Sequence, residues 1–357
     1  MTLKKINVLD LFCGAGGFSC GFEQAGFKVL AGIDNDDKAL FTYKNNHKDS
    51  IAINHDLSSV NEDLFFSIDD AINGESIDVL IGGPPCQGFS VAGKRLEDDP
   101  RNKLWRAYID VVERYKPRVI VLENVPTIVK SSKGLVTKAI IESFSEHGYI
   151  TDVKVLLASD HGVPQKRKRA FFVATKKGMP FFQFPDKKLI ESSYITTKQA
   201  LSDLPLLSDS LGKEKSEYPK DCETDYQRFI RKNSNYLYNH SAVNHTEKTR
   251  HIISLVPDGG NYKDLPKELR ETRRVNIAWT RMNSKKPCFT IDAGHNHHFH
   301  YEANRVPTVR ECARIQSFPD NFIFYGTRTS QYRQVGNAVP PMIGYEIAKK
   351  VKEVFDE

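Results

Sequence analysis

The sequence predicts an α/β fold: a mostly parallel sheet covered by helices on both faces, with a second, smaller and irregular domain. Three features predict it. The first half alternates short apolar, β-rich runs with helical stretches, which is the pattern of a parallel sheet. A glycine-rich turn, Gly14 to Gly17, joins the first run to the first helix. After about residue 185 the alternation dissolves into polar and aromatic sequence without clear periodicity.

The elements follow in order. "INVLDLF" is the first strand, and "GAGGFSCGFEQAG" turns into a short helix. Phe18 and Phe22 share one face of that helix, and Gly26 supplies a left-handed C-terminal cap. "KVLAGID" is a second strand ending in an acid, and Asp56-Leu57 closes a third. "SIDVLIGG", the helix "KLWRAYIDVVERY" and the strand "RVIVLENV" come next, with Pro117 closing the helix. "DVKVLLAS" and "RAFFVAT" add two strands. Near the C-terminus Ile343, Ile347 and Val351 recur at helical spacing, and the helix they define should return to the first domain. The expected division is 1–188 for a catalytic and cofactor-binding domain, 189–325 for a recognition domain with a hinge, and 326–357 for the returning segment.

The 357 residues suit about two domains at roughly 150 each. No apolar run reaches the 18 or so residues of a membrane span, and "MTLKKINVLDLF" is too soon charged for a signal peptide. Six scattered cysteines without a CxxC pair read as reduced thiols of a cytoplasmic protein. The net charge of +6 is compatible with a polyanionic partner without identifying one.

Ligands of such sheets bind at the carboxyl ends of the strands, where Asp10, Asp34, Cys86 and Glu123 all fall. Glycines there let the backbone approach a ligand closely, although Gly14, Gly16 and Gly17 do not match GxGxxG. Asp34, about twenty residues on, suits the two ribose hydroxyls of a nucleoside. Together they indicate an adenosine-containing cofactor, either NAD or S-adenosyl-L-methionine. "GGPPCQGFS" places a lone thiol, Cys86, after two chain-stiffening prolines and before a slack loop that could close on a substrate. "ENV" puts the acid Glu123 after a neighbouring strand. In "GVPQKRKRAFFVAT", Gln165, Arg167 and Arg169 alternate with Lys166 and Lys168, which places the three on one face.

The motifs "DLFCGAGGF", "GGPPCQGFS", "ENV", "QKRKR", "RECARIQSFPDNF" and "QVGNAVPP", in this order, resemble those of the cytosine carbon-5 DNA methyltransferases. The resemblance covers nearly all the chain except about residues 190 to 280, and its layout is similar to that of the bacterial restriction-modification type. It implies a Rossmann-like S-adenosylmethionine-dependent methyltransferase sheet with a target-recognition domain. It also implies S-adenosyl-L-methionine as cofactor and double-stranded DNA as partner. By this resemblance Cys86 attacks carbon-6 of a flipped-out cytosine, Glu123 acts at ring nitrogen-3, and Arg167 and Arg169 serve the cytosine carbonyl and Glu123. Asp10, Phe12, Gly14, Gly16 and Gly17 would border the methionyl end of the cofactor. Asp34 would take the ribose, Asn35, Asp56 and Leu57 the adenine, and Pro85 and Asn337 the rest of the pocket. Gln87, Ser90, Lys94 and Arg95 of the loop, with Gln165, Arg281, Lys285 and His297, would meet DNA. Arg310 would buttress the small domain internally. A monomer suits a single flipped base, and the layout admits a separate cognate restriction endonuclease.

Other readings give less. "HNHHFH" suggests a metal, but no cysteine or acid cluster completes a ligand set, so none is expected. The triplet Cys288-Phe289-Thr290 resembles the branch of the family that methylates tRNA, although the remaining recognition region does not. An NAD-linked oxidoreductase has no use for "PPCQ" or "ENV", and a non-catalytic DNA-binding relative would have no need of Cys86 and Glu123.

Overall fold

A computed structural model of the protein describes residues 5–85, 103–270, 279–292 and 298–356. The chain forms two compact units, Met1–Leu157 with Lys168–Lys187 and Ala338–Glu357, and Ala158–Arg167 with Lys188–Asn337.

The first unit is built on seven strands: β1 (Asn7–Leu11), β2 (Lys28–Asp34), β3 (Ile51–Asn54), β4 (Val79–Gly82), β5 (Val119–Asn124), β6 (Tyr149–Leu157) and β7 (Lys168–Lys176). Their order is β3-β2-β1-β4-β5-β7-β6. β1 to β5 are mutually parallel, while β7 runs antiparallel to both β5 and β6. β1, β4 and β5 are buried along their whole length, so they read as continuous apolar runs. The connecting helices are α1 (Gly17–Gln24), α2 (Asp37–Asn46), α3 (Glu62–Ile72), α4 (Lys103–Tyr115) and α5 (Leu135–Glu146). Asp36 caps α2 by accepting from Lys38 and Ala39 N–H, and Asn61 caps α3 in the same way. α1 ends at Gly26 with φ +91°, the expected left-handed stop. Leu9, Leu11, Leu80, Ile120, Tyr108, Phe144 and Phe172 form the core between sheet and helices.

The C-terminal helix, Pro341–Asp356, belongs to this unit and buries Ile343, Ile347 and Val351. It lies so close to α1 that a β-carbon on Gly21 would sit 2.5 Å from Pro341 O and 2.6 Å from Tyr345 N. Gly344 faces Phe18 and Gly21 from the other side.

The second unit carries more helix than its sequence suggests, including Asp225–Arg231, Glu247–Ser254, Val309–Ile315 and Arg328–Asn337, with an antiparallel ribbon of Gly212–Ser216 and Leu237–Ser241. Its interior is organised by charge. Arg314 is wholly buried between Asp203 and Asp320, the latter at 2.6 Å. Arg305 grips Glu311 at 2.7 Å. Arg310 gives its nitrogens to the carbonyls of Tyr238, Pro319 and Phe322, the buttress expected of it. Among the described residues no helix is long and apolar enough to cross a membrane.

Candidate active site

The parallel register brings the ends of β1, β2, β4 and β5 to one edge of the first unit. At the end of β1 the backbone turns sharply. Phe12 has φ +60° and Gly14 φ +53°, a left-handed pair that costs a non-glycine residue energy and marks a functional turn. Gly14 N–H donates to Asp34 Oδ2 at 2.8 Å, so the acid ending β2 is tied to the turn. The other oxygen of Asp34 accepts from Asp36 N–H at 2.9 Å. Burial raises the Asp34 carboxyl above its usual range, against the pull of those N–H groups. Beneath the turn Asp10 is buried and accepts from Ser19 Oγ at 2.6 Å; burial pushes its pKa up to about 7. A β-carbon on Gly14 would meet nothing within 4 Å, so the outer face of the turn is open to a ligand. Asn35 and Asp56 stand exposed beyond β2 and β3, with Leu57 buried next to them. An open glycine turn, an acid anchored beside it and exposed polar groups at the next strand ends fit an adenosine-bearing cofactor.

At the ends of β4 and β5 a second group forms. Glu123 and Phe171 are opposite each other across β5 and β7. Arg169, two residues along β7, lies on the same face. Its Nε stands 2.8 Å from Glu123 Oε1. Gly83 leaves room for that carboxylate, since a β-carbon there would lie 3.0 Å from Glu123 Oε2. The next residue of "ENV", Asn124, donates to Pro84 O at 2.9 Å and accepts from Val125 N–H at 2.8 Å. That side chain fixes the prolines leading to Cys86. The sequence reading used only the acid of this triplet, yet its spacing already paired Asn124 with the proline turn. Cys86, Gln87, Ser90, Lys94, Arg95 and His297 lie outside the described residues.

Several expected residues stand elsewhere. Arg167 does not join Arg169, because β7 begins only at Lys168 and the alternation stops there. Arg167 is buried in the second unit, donating to Ile291 O at 3.3 Å and Gly336 O at 3.0 Å. Gln165 is buried there too, giving its amide N–H to Ile315 O and accepting from Ile291 N–H at 3.0 Å. Arg281, expected at DNA, is caged by the carbonyls of Val256, His300 and Ala303 at 2.7–3.2 Å. A guanidinium shielded in this way cannot present itself to phosphate. His300, part of the histidine run, is buried against Glu311 and its pKa is pushed down to about 4 by burial. Lys285 is exposed, and Asn337 is exposed at the end of its helix in the second unit.

A glycine turn and a paired acid at the carboxyl edge of a 3-2-1-4-5-7-6 sheet define an S-adenosyl-L-methionine-dependent methyltransferase. Comparison with known proteins narrows the class. The family model described as C-5 cytosine-specific DNA methylase matches residues 6–353. The chain is 37% identical to the Type II methyltransferase M.DdeI of Desulfomicrobium norvegicum, over 98% of this chain and 89% of that protein. It is also 37% identical to the Type II methyltransferase M1.HphI of Haemophilus parahaemolyticus, over 97% and 87%. The crystal structure of an E. coli protein described as a prophage-encoded DNA modification methyltransferase superposes with a TM-score of 0.81 at 28% identity. That match covers 99% of this chain and 100% of that one. The chain belongs to the C-5 cytosine-specific DNA methylase family: it is a DNA (cytosine-5-)-methyltransferase that takes its methyl group from S-adenosyl-L-methionine.

Proposed function

We propose that the protein methylates a cytosine swung out of duplex DNA at one short sequence, with Cys86 as nucleophile and Glu123 at ring nitrogen-3. The Glu123–Arg169 pair, set beside the Pro84 turn that Asn124 holds, is the observation that carries this reading. The Cys86 thiolate forms a bond to carbon-6, and the ring electron pair moves to carbon-5. Glu123 binds or protonates nitrogen-3, relieving the charge brought by the thiolate. Arg169 fixes the orientation of Glu123. S-adenosyl-L-methionine supplies the methyl group that carbon-5 accepts. Loss of the carbon-5 proton to a base then breaks the sulfur–carbon-6 bond and restores ring and thiolate.

Phe12, Gly14, Gly16 and Gly17 border the methionyl end of the cofactor, and Asp34 takes the ribose. Asn35, Asp56 and Leu57 line the adenine, with Pro85 and Asn337 bordering the rest. The region 189–325 reads the target, and the exposed Lys285 supplies a phosphate contact; Arg167, Gln165 and Arg281 hold that unit together instead. The enzyme acts as a cytoplasmic monomer. Its likeness to Type II methyltransferases supports a place beside a separate restriction endonuclease.

Bisulfite sequencing of unmethylated DNA incubated with the protein and S-adenosyl-L-methionine tests this. Protected cytosines confined to one short sequence are expected, and Cys86→Ser should abolish them while still binding cofactor. Turnover by that variant, or protection without sequence preference, would overturn the proposal.

A further inference from the structure

The glycine turn has an inner face as well as an open outer one, and that inner face rests on α2. Tyr43, fully buried, fills the space left by two glycines. A β-carbon on Gly32 would lie 2.4 Å from Tyr43 Cζ, and one on Gly16 would lie 2.8 Å from Tyr43 Cδ2. His47, one turn along, stacks on Tyr43 at 4.3 Å between ring centroids and would meet the same Gly16 β-carbon with Nε2 at 2.1 Å. The Tyr43 hydroxyl is 2.8 Å from Ser50 Oγ and 3.2 Å from Ser19 Oγ, and Ser19 donates onward to Asp10. His47 Nδ1 is 2.8 Å from Glu23 Oε2 on α1. One phenol therefore joins β1, β2, α1 and the turn.

We propose that Tyr43 is a positioning residue for S-adenosyl-L-methionine: without touching the ligand, it holds the Gly14–Gly17 turn at the height at which the cofactor is bound. The ring blocks inward movement of Gly16, and the hydroxyl holds Ser19, the third residue of α1, against the end of β1. Gly14 N–H remains aimed at Asp34 only while the turn stays where the ring supports it. The inference rests on the turn being the cofactor's seat.

Tyr43→Phe keeps the ring and removes the hydroxyl. Losing one such hydrogen bond, about 1 kcal/mol, corresponds to a roughly five-fold change in an equilibrium constant. Titration calorimetry with S-adenosylhomocysteine should show Kd rising by about that factor. The KM for S-adenosyl-L-methionine should rise in parallel, with kcat at saturation within about two-fold of the parent. Tyr43→Leu, which removes the strut itself, should raise both further. Val351→Ala, in the core of the C-terminal helix, is the control for general loosening: it should lower Tm and leave Kd unchanged. An unchanged Kd in Tyr43→Phe, or an equal rise in Val351→Ala, overturns the role of Tyr43. A parent chain that binds no S-adenosylhomocysteine overturns the seat as well.

Discussion

Asn124 directs its amide at Pro84 O and takes Val125 N–H on its own oxygen, so neither end is free to turn. Placement of the thiol two residues beyond Pro84 depends on that bond, and misplacing a reacting group by about 1 Å can cost roughly 100-fold in rate. Asn124→Ala is therefore expected to lower kcat by about 10- to 100-fold while S-adenosylhomocysteine binds as in the parent; single-turnover methylation and calorimetry separate the two. Asp10 makes a different prediction. Its folded carboxyl keeps a proton up to about pH 7, whereas in the unfolded chain it titrates near the model value of 3.8. The folded state binds the extra proton between those values, so stability falls as pH rises through that window. Three units correspond to about 4 kcal/mol at most. Asp10→Asn, which still accepts from Ser19, should gain on the parent in urea midpoint as pH goes from 5 to 8; a constant difference would refute it. Neither residue's partner was legible in the sequence. Asp10 reads as the end of a strand, and its burial beneath Ser19 arises only when α1 folds back over it.

α1 and the C-terminal helix approach backbone to backbone because Gly21 and Gly344 carry no side chain. A methyl at residue 21 would press on Pro341 O and Tyr345 N, neither of which can step aside as a side chain would. Gly21→Ala should cost about 1–3 kcal/mol of overpacking, exceeding any helix-propensity gain of about 1 kcal/mol. An unfolding midpoint equal to the parent's would show that the helices can separate without loss. At this scale the sequence was informative. Apolar runs located β1, β2, β4, β5, β6 and β7, Gly26 marked the end of α1, and the Ile343-Ile347-Val351 spacing sent the last helix home. The direction of β7 was less visible, although the ten-residue link from Leu157 to Lys168 holds the clue: parallel neighbours need a longer crossover. Alternation from Gln165 to Arg169 misled because period two requires a strand, and the strand starts only at Lys168.

Across the whole molecule, arginines divide between chemistry and architecture in a way that letters alone do not disclose. Arg169 meets a carboxylate at the sheet edge; Arg167 and Arg281 meet backbone carbonyls in the second unit. Arg281→Ala should destabilise the protein by on the order of 3 kcal/mol, since several buried acceptors lose their donor together. Lys285→Ala should leave stability unchanged, weaken duplex binding equally across sequences and lower the salt slope by about one. Thermal unfolding with salt-dependent DNA titration distinguishes them; a Lys285→Ala variant with an unaltered slope would remove it from the DNA contacts. The bonds of Gln165 and Arg167 to Ile315, Ile291 and Gly336 also bear on transplanting specificity. A chimaera that imports only 188–337 from a relative keeps the native residues 158–167 and asks foreign loops to answer a buried amide and a buried guanidinium. Sequence preference in this scaffold is therefore inherited as two pieces of chain, and a workable graft carries the ten-residue piece along with the long one.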